Sequence, residues 1–131
     1  MSAHETIADL VLTDAPVLTP DMPIRRAVAT LVQQQVTAAA VIDDSGRLKG
    51  VLSQKDCFRP ALNASYYQEW KGTVGDFMTT DVTVLPADSD VLAAAEAFLE
   101  HPYRLFPVVD KEVFTGMLRR SDVLKRLVEL G

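Results

Sequence analysis

At 131 residues, 48% of them hydrophobic, the chain has room for one globular domain or two small subdomains sharing a core, and is too apolar for a disordered polypeptide. Its net charge of −5 and pI near 4.9 set it against phosphodiester backbones and anionic lipids, so any phosphate-bearing ligand must be small and held in a locally basic pocket. One cysteine, Cys57, excludes an intrachain disulfide; no apolar run nears the ~20 residues that cross a bilayer, and the N-terminus lacks the features of a signal peptide, so a soluble cytoplasmic protein is expected.

In chain order, Thr6-Ile-Ala-Asp-Leu-Val11 predicts a short helical turn, and Val17-Leu-Thr-Pro20 a strand ended by proline. Ile24, Ala27, Val28, Leu31 and Val32 have the i, i+3, i+4, i+7, i+8 spacing of a helix with one buried stripe. Ala38-Ala-Ala-Val-Ile-Asp43 predicts an apolar strand, Asp43-Asp-Ser-Gly46 a hairpin turn, and residues 48–53 the returning strand. A helix is expected after Asp56. Residues 63–72 form a connector whose Tyr66, Tyr67 and Trp70 are expected to pack down rather than swing as a free linker.

The same order then recurs 67 residues on. Thr73-Val-Gly-Asp-Phe-Met78 repeats the first turn, and Val91, Ala94, Ala95, Phe98 and Leu99 repeat the helical stripe. Leu105-Phe-Pro-Val-Val-Asp110 repeats the strand. Gly50 precedes Asp56 by six residues, and Gly116 precedes Asp122 by the same six. Each copy reads as strand, helix, strand, strand, helix, with repeat 1 at 1–62, the connector at 63–72 and repeat 2 at 73–131. A half of this size buries only a modest core, which argues for a pseudo-twofold pair packed through its sheets.

This pattern resembles the cystathionine-β-synthase-type (CBS) domain pairs, small stand-alone prokaryotic members in particular, also known as Bateman modules. The residues that carry the resemblance are the proline-bearing strand starts, Leu105-Phe-Pro-Val-Val-Asp110, Gly50-Val-Leu-Ser-Gln-Lys-Asp56 and Gly116-Met-Leu-Arg-Arg-Ser-Asp122. It covers residues 6–131. The resemblance implies an α/β (α+β) fold and a non-catalytic regulatory module that binds an adenosine-type ligand such as AMP, ADP or ATP in clefts between the repeats. It implies a homodimer and signalling to an unidentified effector protein. No cofactor is required, and neither nucleic acid nor a membrane is an expected partner.

Carried over residue by residue, the favoured cleft takes Thr19, Arg104, Arg119, Ser121 and Asp122. A carboxylate at a helix start accepts both ribose hydroxyls, and a basic residue such as Arg104 contacts phosphate. The second cleft takes Ser53, Asp56 and Leu85. There Leu85 replaces the polar residue before the proline, and Thr37 stands where Arg104 stands in the other copy. Arg119 replaces the usual Ser/Thr, either pairing with a polyphosphate or filling the pocket.

Plainer readings stand beside these. Ser53 and Asp56 also make a helix capping box. Thr19-Pro20 also serves as a simple strand end, and Arg120, Lys125 and Arg126 as a solvated helix face. Cys57 reads as a structural thiol. His4 and His101 belong to no cluster with metal-ligand spacing. Phosphate-loop, dinucleotide-turn and nucleophile-elbow motifs are absent. The rival function is a degenerate pair that dimerises or docks on a protein without a ligand.

Overall fold

The computed structural model describes residues 5–131, and His4 lies outside them. Two compact units are present. The first is Pro16–Val82; the second joins the segment ending at Ala15 to Thr83–Gly131.

In the first unit, β1 (Val17–Leu18), β2 (Ala38–Ile42) and β3 (Leu48–Ser53) form a sheet in that order, β1 parallel and β3 antiparallel to β2. In the second, β4 (Leu85–Pro86), β5 (Leu105–Asp110) and β6 (Val113–Arg119) repeat this arrangement. The register repeats too. Leu18 faces Val41 and Leu85 faces Val108, and each sheet bulges just after that central valine. The central strands are buried on both faces, Ala39–Val41 in one and Phe106–Val108 in the other, so they read as continuous apolar runs rather than alternating ones.

α1 (Ile24–Gln34) buries Ile24, Ala27 and Leu31 and ends at Gln35 in the left-handed conformation. α4 (Val91–Glu100) starts at Asp90, whose carboxylate accepts the Ala93 N–H at 2.7 Å. α2 (Phe58–Tyr67) and α5 (Arg120–Leu130) close the two copies. The first hairpin is shaped by Asp43, which accepts the N–H groups of Ser45 and Arg47. Among the described residues no helix is long and apolar enough to cross a membrane.

Two expectations change. α2 runs on to Tyr67, into the segment expected to be a connector, and its buried positions stop at Ala64. The last turn carries Tyr66 and Tyr67 past the core, so both are exposed; only Trp70 packs down. Arg126 is no solvated cation either, since its guanidinium holds Glu5 and Glu129.

The heads of the repeats are exchanged between units. Residues 5–12, which begin repeat 1, pack in the second unit; residues 73–79, which begin repeat 2, pack in the first. Ile7 is fully buried among Leu85, Val91, Phe106 and Leu118, and Val74 among Leu18, Ile24, Leu31 and Leu52. Ile7 N–H donates to Ser89 O and Val91 N–H to Glu5 O; Val74 N–H donates to Met22 O and Ile24 N–H to Gly72 O, the same bonds one repeat apart. α3 (Val74–Phe77) is a single turn held by a Thr73–Asp76 capping box.

Each head then crosses its sheet at a glycine. Leu12 and Met117 exchange N–H···O bonds of 2.8 and 3.0 Å, and Thr79 and Val51 exchange two of 2.9 Å. A Cβ on Gly116 would sit 2.4 Å from the Leu12 carbonyl oxygen, and one on Gly50 2.6 Å from that of Thr79. These two glycines are needed for space, since neither has a positive φ.

Ile7→Ala removes a buried side chain from the second unit and is expected to cost about 2–5 kcal/mol. Gly116→Ala, which forces the head off the sheet, is expected to cost about 1–3 kcal/mol or more. Urea unfolding checks both; a Gly116→Ala protein with an unchanged midpoint would contradict the close approach.

Candidate functional site

At one end of the second unit's sheet, β6 stops at Arg119 and α5 begins at Arg120. Arg119 faces Leu105 in the register, and the Arg120 N–H donates to the Arg104 carbonyl at 2.9 Å. Arg104, Arg119 and Arg120 therefore gather at one sheet end, with Ser121 and Asp122 in the first turn of α5. Arg104 and Ser121 are exposed, while Asp122 is half-buried.

Arg119 provides no side-chain cap to the helix it precedes. Its guanidinium turns to Asp122 instead, Nε to Oδ2 at 2.7 Å and Nη2 to Oδ1 at 3.1 Å, a two-pronged ion pair. That hydrogen bonding, with the carboxylate's charge, pushes the Arg119 pKa above its ordinary value. Both oxygens of Asp122 are engaged by one residue that is itself half exposed.

The matching end of the first unit is built differently. Gln54 N–H donates to the Thr37 carbonyl at 2.8 Å, as Arg120 does to Arg104. The residues there are Thr37, Ser53 and Gln54, all uncharged. Asp56 is held by a capping box: its Oδ2 accepts the Ser53 N–H at 2.9 Å, and its own N–H donates to Ser53 Oγ at 3.2 Å. Thr79 from the exchanged head adds its hydroxyl to the same Oδ2 at 3.4 Å. The thiol of the adjoining Cys57 donates to the Ser53 carbonyl, and burial, then the charge of Asp56, push its pKa up to about 11.

Thr19 belongs to the first unit and follows β1; its hydroxyl donates to Asp21 at 2.8 Å. Leu85 requires a correction. The register makes it the counterpart of Leu18, since each faces the central valine of its sheet and each is buried. The residue at Thr19's position in the second copy is Pro86, which has no hydroxyl. The misalignment arises because the second copy has only one residue between Val84 and its proline, where the first has two between Val17 and Pro20.

The structure thus brings together Arg104, Arg119, Ser121 and Asp122 in one unit, and Ser53 and Asp56 in the other. Thr79 was missed by sequence reasoning, because nothing local joins it to a carboxylate 23 residues upstream. His101 is packed among aromatic rings, stacked on Tyr103 with centroids 5.5 Å apart and edge-on to Phe106 at 5.8 Å. Among the described residues no group of three or more His, Cys, Asp or Glu is placed to hold a metal.

The family model for the CBS domain matches residues 7–62 and 74–129, each match beginning at an exchanged head. The chain belongs to the CBS domain family. Among its relatives, the CBS domain-containing protein YhcV of Bacillus subtilis is 24% identical over 119 residues, covering 90% of this chain and 82% of YhcV. The MJ1225 protein of Methanocaldococcus jannaschii is 22% identical over 124 residues, and the chain spans only 43% of its length. The crystal structure of CBSX2 in complex with AMP, the CBS-pair protein of Arabidopsis thaliana, superposes with a TM-score of 0.81 at 30% identity, covering 95% of this chain and 97% of the other.

The two carboxylates should differ in structural weight. Without ligand, Asp122→Ala removes an exposed ion pair and is expected to cost less than about 1 kcal/mol. Asp56→Ala removes a capping box and is expected to cost about 1–2 kcal/mol. Denaturant titration of both variants checks the order, and a larger loss for Asp122→Ala would contradict it.

Proposed function

We propose that this chain is a regulatory, non-catalytic CBS pair that senses an adenosine nucleotide and passes the signal to a partner protein. Arg104, Arg119, Ser121 and Asp122 of the second unit carry the binding. The observation behind this reading is a carboxylate held only by an exchangeable ion pair with half-exposed Arg119, inside a locally basic cluster on a protein whose net charge is −5. Two ribose hydroxyls match two carboxylate oxygens, and phosphate oxygens match the arginine N–H groups. The structure of CBSX2 with AMP, at 30% identity, supports the ligand class.

Breaking the Arg119–Asp122 pair to admit a ribose is cheap. An exposed pair is worth about 0.2–1 kcal/mol, whereas each hydrogen bond to a charged group returns about 1.5–3 kcal/mol. The first unit is the weaker candidate, because the ligand would compete with the capping bonds of Ser53 and Asp56. Signalling then requires that the nucleotide bind one arrangement of the protein better than another.

A second reading, interaction without ligand, draws on the same ion pair, which already satisfies Asp122. The test is thermal unfolding with AMP, ADP, ATP, NADH and S-adenosylmethionine in turn. A ligand at about 100 times its Kd adds about 2.7 kcal/mol of apparent stability. The expected result is a shift with adenine nucleotides that Asp122→Ala abolishes and Asp56→Ala retains. No shift with any of the five would favour the interaction reading.

The proposal includes a homodimer. Val32 on α1 and Phe58 on α2 are each 65% exposed, and Leu99 on α4 and Val128 on α5 are 87% and 75% exposed, more apolar surface than these helices need for their own cores. Sedimentation is expected to give twice the chain mass for the native protein and the chain mass for Leu99→Glu/Val128→Glu. A native monomer at tens of micromolar would overturn it.

A further inference from the structure

Arg119 occupies the place that Ser53 holds in the other copy. Each is the last residue of its sheet's third strand, and each lies three residues before the carboxylate at the following helix start. Ser53 caps Asp56 through backbone and hydroxyl, with no arginine at that sheet end. Arg119 instead takes both oxygens of Asp122 with its own charged fork, beside Arg104 and Arg120. The two ends share a backbone plan and differ in chemistry, with Thr37, Ser53 and Gln54 at one and Arg104, Arg119 and Arg120 at the other.

We propose that Arg119 is the specificity-determining residue of the second unit's site and selects adenosine di- and triphosphates over AMP and adenosine. This rests on the nucleotide reading above. Ribose hydroxyls compete for the two oxygens that Arg119 holds, so an adenosine ligand that takes both in its place displaces the guanidinium. Half exposed, Arg119 is displaced easily, and it then needs a new anionic acceptor to recover what it gave up. Adenosine offers none. AMP offers one phosphate for Arg104 and Arg119 to share, whereas ADP and ATP offer an anionic group to each. Arg119 therefore closes Asp122 in the empty protein and grips the outer phosphates in the loaded one.

The experiment is calorimetric titration of adenosine, AMP, ADP and ATP into the native protein, Arg119→Ser and Arg119→Lys, with melting curves to confirm that each variant is folded. The native protein is expected to bind ADP and ATP more tightly than AMP and adenosine. Arg119→Ser is expected to weaken ATP by about tenfold or more while adenosine binding holds or tightens. Arg119→Lys keeps the charge without the fork and should fall between the two. If nucleotides bind but Arg119→Ser leaves the ATP-to-adenosine ratio unchanged, the selection is overturned and the nucleotide reading stands. Binding by Arg119→Ser alone would show Arg119 closing the site without serving it, and would also overturn the proposal. If neither the native protein nor Arg119→Ser binds any of the four, both fall.

Discussion

The exchanged heads are the constraint on which the rest depends. A unit with one three-stranded sheet and two helices has little core to spare, and each unit here is completed by a buried side chain from the start of the other repeat: Ile7 in one, Val74 in the other. The crossing works only because the backbone of each head lies directly on a strand, at Gly50 and Gly116, close enough to exchange a pair of hydrogen bonds with the next residue. The glycine of the family motif is thus a packing requirement, and it lies six residues before the carboxylate that the motif also carries. In the first unit the link is direct, since the exchanged Thr79 bonds Asp56.

The same backbone plan supports two unlike sheet ends. Where Ser53 caps Asp56, the carboxylate orders its own helix start. Where Arg119 stands in its place, the carboxylate is bound to a charged, half-exposed partner. A capping box resists removal, whereas an exposed ion pair is worth less than a single good charge-assisted bond to a ligand. The serine in one copy and the arginine in the other suit the first end to structure and the second to exchange of partners.

Much of the fold was legible in the sequence because repetition supplies two readings of each element. The 67-residue offset, which drops to 66 after the shorter second hairpin, aligned helices, strands and turns, and the pairing of the first two strands repeats at 67. The exchange of heads was not legible, since the signals that place Thr6–Val11 and Thr73–Met78 as turns say nothing about which sheet they lie on. Leu85 was misplaced by counting from the proline rather than by register with Val108. Tyr66 and Tyr67 were misread because composition argues that aromatics pack, but helix length decides where they end. For the candidate site, the resemblance to CBS pairs singled out Asp122 and Arg119; their mutual engagement appears only in the geometry.

The most direct test of the central claim, that the second unit's sheet end receives the nucleotide, is amide hydrogen exchange with and without ATP. The account predicts slowed exchange at Arg120–Val123 at the start of α5, with much less change across Gln54–Cys57 at the matching position in the first unit. Equal protection at both ends, or protection at neither while ATP is bound, would contradict it.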